Sequence, residues 1–112
     1  MNQFDGIRLA KVNFTPTAAA TYTSTASLPA GAIVKSITTV EGVALAGGTN
    51  VTFRVGTQSL TAAIATASFT GVDTHALTDT DGLAVTADGY LNIVTTGTYT
   101  AGDIETYVQY YV

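Results

Sequence analysis

Residues 88–112 read DGYLNIVTTGTYTAGDIETYVQYYV. Two strands are expected here, Tyr90 to Thr95 and Asp103 to Val112, joined by a Thr/Gly-rich loop that holds Tyr99. Successive side chains in a strand point to opposite faces. In the second strand Ile104, Thr106, Val108, Tyr110 and Val112 therefore share one face, and Glu105, Tyr107, Gln109 and Tyr111 share the other. The aliphatic face is the expected core side. Asp88-Gly89 ahead of the first strand is a pair common in tight hairpin turns, and a hairpin turn is expected there.

Working outward, the same grammar recurs. Ile7 to Phe14 is a strand whose apolar phase slips in the middle, which predicts a bulge or a strand covered on both sides. Pro16 ends it, because proline cannot donate to a ladder. Thr21 to Ser27 is a β-branched strand, and Leu28-Pro29-Ala30-Gly31 is a turn. Ala32 to Val43 is a long strand with apolar residues on both faces. Gly47-Gly48 marks a hairpin loop. Asn50 to Val55 alternates cleanly, with Val51, Phe53 and Val55 on one side. Thr57 to Phe69 fits either a short helix, by the spacing of Leu60, Ala63, Ile64 and Ala67, or an irregular strand. Gly71 to Gly82 is a polar loop, and Leu83 to Thr86 a short strand. About seven to eight short antiparallel strands with turn signals every ~8–12 residues predict an all-β fold, a β-sandwich or small barrel.

Composition agrees. About one residue in five is threonine, and Val, Ile and Tyr accompany it, types that fit a pleated surface. At 112 residues the chain is expected to be a single domain, 1–112. The net charge is −4 and charged residues make up 11%, with Arg8, Lys11, Lys35 and Arg54 scattered along the sequence. Without a basic cluster to neutralise phosphates, nucleic acid is not an expected partner, and for the same reason neither is an anionic membrane. No run approaches the ~18 apolar residues of a membrane helix. The first residues, with Asp5 where basic residues would stand, do not read as an export signal. The absence of cysteine removes disulfides, thiolate metal sites and thiol nucleophiles.

Signals for chemistry are thin. His75 is the one histidine, and a metal site can be drawn from Asp73, His75, Asp79 and Asp81. The reading adopted is a solvated polar loop with no metal. Asp79-Thr80-Asp81-Gly82 resembles a calcium loop, but placing Asp79 and Asp81 at the third and fifth positions puts Leu77 at the first, where an oxygen ligand is needed. No catalytic residue and no cofactor is expected: there is no GxSxG motif, and Gly47-Gly48 lacks the lysine and helix of a phosphate loop. Asn13-Phe14-Thr15 and Asn50-Val51-Thr52 match the glycosylation triplet, which chance supplies often in a Thr-rich chain. Tyr107, Gln109 and Tyr111, on the odd face of the last strand, are the candidate subunit interface, since tyrosine is enriched at such surfaces.

Three segments carry a resemblance to a family. LPAGAIVKSI (Leu28 to Ile37) is a turn leading into a Val/Ile-rich strand. NVTFRVGTQSL (Asn50 to Leu60) is a strand ending in Val-Gly. The third is the opening stretch, with its Asp-Gly, strand, Thr-Gly loop, Ala-Gly-Asp and aromatic strand in that order. In order and spacing these are similar to small β-sandwich proteins of tailed bacteriophages, the head decoration (cement) and head-fibre proteins. That resemblance implies a jelly-roll-like sandwich that forms a homotrimer, binds the major capsid protein, and sits on the capsid surface of the virion. It implies no enzyme. The competing reading is a receptor-binding or carbohydrate-binding adhesin module, although no tryptophan is present to stack on a sugar.

Overall fold

In a computed structural model, which describes residues 7–17, 19–79 and 82–112, the stretch that opened the sequence reading lies at the centre of two sheets. The described residues form β1 (Ile7–Phe14), β2 (Ala20–Leu28), β3 (Ile33–Gly47), β4 (Asn50–Val55), β5 (Gln58–Ser59), β6 (Ile64–Ala65), β7 (Val72–His75), β8 (Leu83–Ala84), β9 (Gly89–Thr96) and β10 (Tyr99–Tyr111). The front sheet has the order β1-β10-β3-β7, with β8 also on β3; the back sheet has the order β2-β9-β4-β5, with β6 also on β4. Every pairing is antiparallel. The all-β sandwich expected from the sequence is the fold observed, with ten strands in place of seven or eight. β3 and β10 are long, at 15 and 13 residues, because both run on towards the corner where the chain changes sheet.

That corner is shared by two connections. Gly47 faces Tyr99 at the end of the front sheet, and Asn50 faces Thr96 at the start of the back sheet. Between them the Gly48 N–H bonds the Thr98 carbonyl at 2.7 Å, and the Thr49 N–H bonds the Thr96 carbonyl at 2.8 Å. β3–β4 and β9–β10 are thus one folded ribbon. Gly97 has φ +85°, and a Cβ there would lie 2.8 Å from Gly48 Cα. A Cβ at Gly48 would overlap the Tyr99 ring, which is buried and donates its hydroxyl to the Asn50 carbonyl at 3.0 Å. Two expectations are corrected here. Gly47-Gly48 does not close a hairpin, because β3 and β4 belong to different sheets. Asp88-Gly89 does not either: β8 lies in the front sheet and β9 in the back, and Asp88 Oδ1 accepts the Ala30 N–H at 2.7 Å, fastening the Leu28–Gly31 turn.

The inward faces bury Leu28, Val34, Ile37, Phe53, Leu91, Ile93, Ile104 and Val108, each burial contributing roughly 1.5–3 kcal/mol. Phe14 meets Phe53 edge-on at 6.5 Å between ring centres. Ile104, Thr106 and Val108 point inward as the alternation required. β1 has no bulge: its register against β10 is unbroken from Ile7↔Tyr111 to Phe14↔Ile104. The apparent phase slip arises because Leu9 is an aliphatic residue on the outer face, 63% exposed. Thr57 to Phe69 resolves as β5, β6 and a single 3₁₀ turn, Thr66–Ser68. Val72–His75, expected in a polar loop, is strand β7 on the edge of β3.

Thr106 is fully buried, and its hydroxyl has no hydrogen-bond partner. Replacing a buried unpaired hydroxyl with a methyl removes a desolvation cost, so Thr106→Val is expected to raise unfolding free energy by about 1 kcal/mol in urea titrations. Gly97→Ala, which forces a side chain into a left-handed backbone already in contact with Gly48, is expected to lower it by at least about 2 kcal/mol.

Candidate functional site

The candidate interface residues lie where the period of two placed them, on the outer face of the front sheet. Each sits in a cross-strand row. Tyr107 is between Lys11 of β1 and Thr38 of β3, with Thr74 of β7 beyond. Gln109 is between Leu9 and Ser36, and the Ser36 hydroxyl donates to Gln109 Oε1 at 3.4 Å. Tyr111 is between Ile7 and Ile33, with the Lys35 ammonium 6.0 Å from its ring centre. Lys35 reaches this face because the register shifts between Gln109 and Tyr110, which leaves Lys35 without its own opposite residue on β10.

Tyr107 is held in place. Its hydroxyl donates to Glu105 Oε2 at 2.6 Å, and Glu105 Oε1 is 3.5 Å from Lys11 Nζ. The same ammonium stands 5.6 Å from the Tyr107 ring centre. The three groups adjust one another. The Glu105 carboxylate raises Lys11; the Tyr107 hydrogen bond, followed by the Lys11 charge, lowers Glu105; and donation to Glu105 raises Tyr107. A ring fixed in this way loses little rotamer freedom when something packs on it.

The two outer faces differ in kind. On the back sheet β2 presents Thr21, Thr23, Thr25 and Ser27, and the neighbouring strands add Asn92, Thr52 and Arg54. The exceptions are Val94, between Thr21 and Thr52, and exposed Tyr90. On the front sheet Leu9, Ile33, Val43, Val72 and Tyr111 are all exposed. The aromatic half of this surface was visible in the sequence. The aliphatic half was missed, because Leu9 looks like a core residue in a one-dimensional pattern and Val72 falls in a stretch that reads as polar loop.

His75 is not in a solvated loop. It is buried in β7, with Nε2 2.7 Å from the buried Thr39 hydroxyl and its ring 4.7 Å from Phe69 and 6.1 Å from Phe53. Asp73 accepts from the Thr70 N–H at 2.7 Å and the Thr70 hydroxyl at 2.8 Å, bonds that hold its carboxyl below the usual range. Asp79 is exposed beyond β7, and Thr80 and Asp81 lie outside the described residues. Among the described residues no three His, Cys, Asp or Glu side chains converge as a metal site, and none forms a helix long and apolar enough to cross a membrane. A cleft of about 440 Å³ opens between β1 and β2, lined by Phe14, Tyr22, Ile93 and a run of threonines, with no carboxylate, amine or imidazole.

Comparison with solved structures places this fold among chains of bacteriophage capsids. A chain of the acid-stable capsid structure of Helicobacter pylori bacteriophage KHP30 superposes with a TM-score of 0.71, covering 96% of this chain and 89% of that one at 15% identity. A chain of the cyanophage Pam1 capsid asymmetric unit gives 0.65, covering 100% and 89% at 17% identity. No protein-family model matches the sequence, and no curated protein matches it. At these identities the likeness is one of fold, and a β-sandwich is the architecture that the three sequence segments implied.

Burial holds the His75 imidazole below its ordinary value near 6.5, with the Asp73 charge opposing. As pH falls below about 6.5 an unfolded chain protonates at this position while the folded chain resists. His75 therefore costs no stability at neutral pH, and stability declines as pH drops towards the depressed folded value. The urea midpoint is expected to fall between pH 7 and pH 5 in the wild type. His75→Phe is expected to flatten that slope, whatever its effect on absolute stability.

Proposed function

We propose that this protein is a structural subunit of a bacteriophage virion, a decoration or cement subunit that binds the outside of an assembled head through the outer face of its front sheet. The observation that carries the reading is a fold shared with chains of phage capsid structures, bearing one threonine-rich face and one face of tyrosine and exposed aliphatic residues. The alternation of β1, β2, β3 and β4 between the two sheets supports a jelly-roll-like winding. In this reading Tyr107, Gln109 and Tyr111 make the subunit contact, the partners are further copies in a homotrimer and the major capsid protein, and no catalysis is involved. His75 and Asp73, the acid and imidazole that lie nearest each other, are already engaged by Thr39 and Thr70, which is the arrangement of a structural element. Any subunit that binds the assembled shell and not its dispersed parts stabilises the shell by mass action.

The test is binding of purified protein to phage heads assembled without it, followed by sedimentation and by thermal release of the genome. The wild type is expected to bind and to raise the release temperature. Tyr107→Ser with Tyr111→Ser is expected to weaken binding on the order of thirtyfold, the loss of one good hot spot, while Thr25→Ala on the back sheet leaves it unchanged. Equal binding by all three would overturn this face as the contact.

A further inference from the structure

The front sheet ends in two edges, β1 and β7, and because its path has four antiparallel strands those edges run in opposite directions. Both present free main chain. The Glu41 N–H bonds the Gly71 carbonyl at 2.7 Å, in register with the β3–β7 pairing. The alternation of antiparallel bonding then turns the N–H and C=O of Val72 and Thr74 away from β3. Carried across β3 and β10, the same alternation turns those of Leu9, Lys11 and Asn13 away from β10. Among the described residues β1 is the longest regular edge. β2 is disturbed between Thr23 and Ser27, where Ser24 Oγ accepts the Ala26 N–H, and β5, β6 and β8 have two residues each.

The two edges are complementary. β1 carries Arg8 and Lys11 and no acid; β7 carries Asp73 and no lysine or arginine, with Asp79 following it. Each also bears an aliphatic side chain left in water, Leu9 at 63% exposure and Val72 at 72%. Exposed main-chain edges with aliphatic side chains beside them are ones that proteins ordinarily cover. Beside β7 a cleft of about 370 Å³ opens between residues 62–65 and Asp73, Thr74 and His75.

We propose that a second copy of this chain lays its β1 edge along the β7 edge of the first, so that the front sheet runs on antiparallel from copy to copy and the copies close into a ring. The charges favour this mode. Pairing β1 with β1 would bring two basic strands together, and pairing β7 with β7 two acidic ones, which is unfavourable wherever like charges come opposite each other. Head-to-tail pairing allows a register in which Arg8 lies opposite Asp73 on the inner side and Leu9 opposite Val72 on the outer side. Such a contact is heterologous, and it gives a ring when the rotation from copy to copy divides a full turn. The joint merges the front faces into one continuous tyrosine-bearing surface, and in that respect it rests on the assembly role proposed above.

The chain contains no cysteine, so Leu9→Cys and Val72→Cys place single thiols on exposed side chains without rival sites. The full chain is treated with a short bismaleimide, run on denaturing gels, and measured untreated by light scattering. The expected result is a wild-type mass of at least about three chains, a covalent ladder from the double variant, and single chains from either variant alone. A single-chain mass in solution overturns the proposal, as do links formed by one variant alone, which would mean two-fold pairing. An oligomeric wild type whose double variant gives no ladder also overturns it. Head binding separates this from the assembly role: a ring that ignores heads removes the role and keeps the ring, and a single-chain protein that binds heads does the reverse.

Discussion

The structure depends on one hydrogen-bonded ribbon. β9 and β10 lie between two neighbours each, β2 and β4 in the back sheet and β1 and β3 in the front. β1 has no ladder partner other than β10, and β2 none other than β9, among the described strands. The ribbon must also bend through the corner without losing register, which is why the crossing point is built from Gly47, Gly48 and Gly97 and sealed by the buried Tyr99 ring.

Around that ribbon the side chains sort into three environments. The interior is aliphatic and aromatic, interrupted by buried Thr61 and Thr95, by the hydrogen bond between Thr39 and His75 and by the unpaired Thr106 hydroxyl. The back surface is hydroxyl-rich. The front surface carries tyrosines pinned by neighbours, as Tyr107 is pinned by Glu105 and Lys11. Threonine serves in all three, with Thr38 and Thr74 beside Tyr107 on the front. Its branched Cβ suits a strand on either side, so a chain this rich in it commits to sheet while leaving to the larger apolar residues the choice of which face is buried.

Much of this was legible from one dimension. Ile7–Phe14 and Asn50–Val55 begin and end where the pattern put them, because alternation and Pro16 are local signals. The inward set of β10 and the outward set with Tyr107, Gln109 and Tyr111 also follow from period two. What was not legible is which sheet a strand joins. Gly47-Gly48 and Asp88-Gly89 have turn chemistry, but turn chemistry is the same whether the chain folds back or crosses over. Val72–His75 was hidden for a related reason: an edge strand with Asp73 and Thr74 in it looks like loop, and only pairing with Ile37–Val40 makes it strand. The exposure of Leu9 and Val72 could not be read at all, since it records what the rest of the fold fails to cover.

The central position of β9–β10 also sets an order of events. Phe14 pairs with Ile104, about ninety residues later. At a synthesis rate of about 5–20 residues per second, β1 leaves the ribosome roughly 5–20 s before its partner exists. The β3–β7 and β4–β5 ladders close over shorter distances and can form in that interval. β1 and β2 cannot, and they wait in water as unpaired strands until the ribbon arrives between them and the rest. Pairings this distant in sequence place the chain among the slower folders, on the millisecond-to-second scale once all of it is free. The polar character of β2, ATYTSTASL, has a kinetic meaning in that light: it keeps a strand with no partner yet from finding the wrong one.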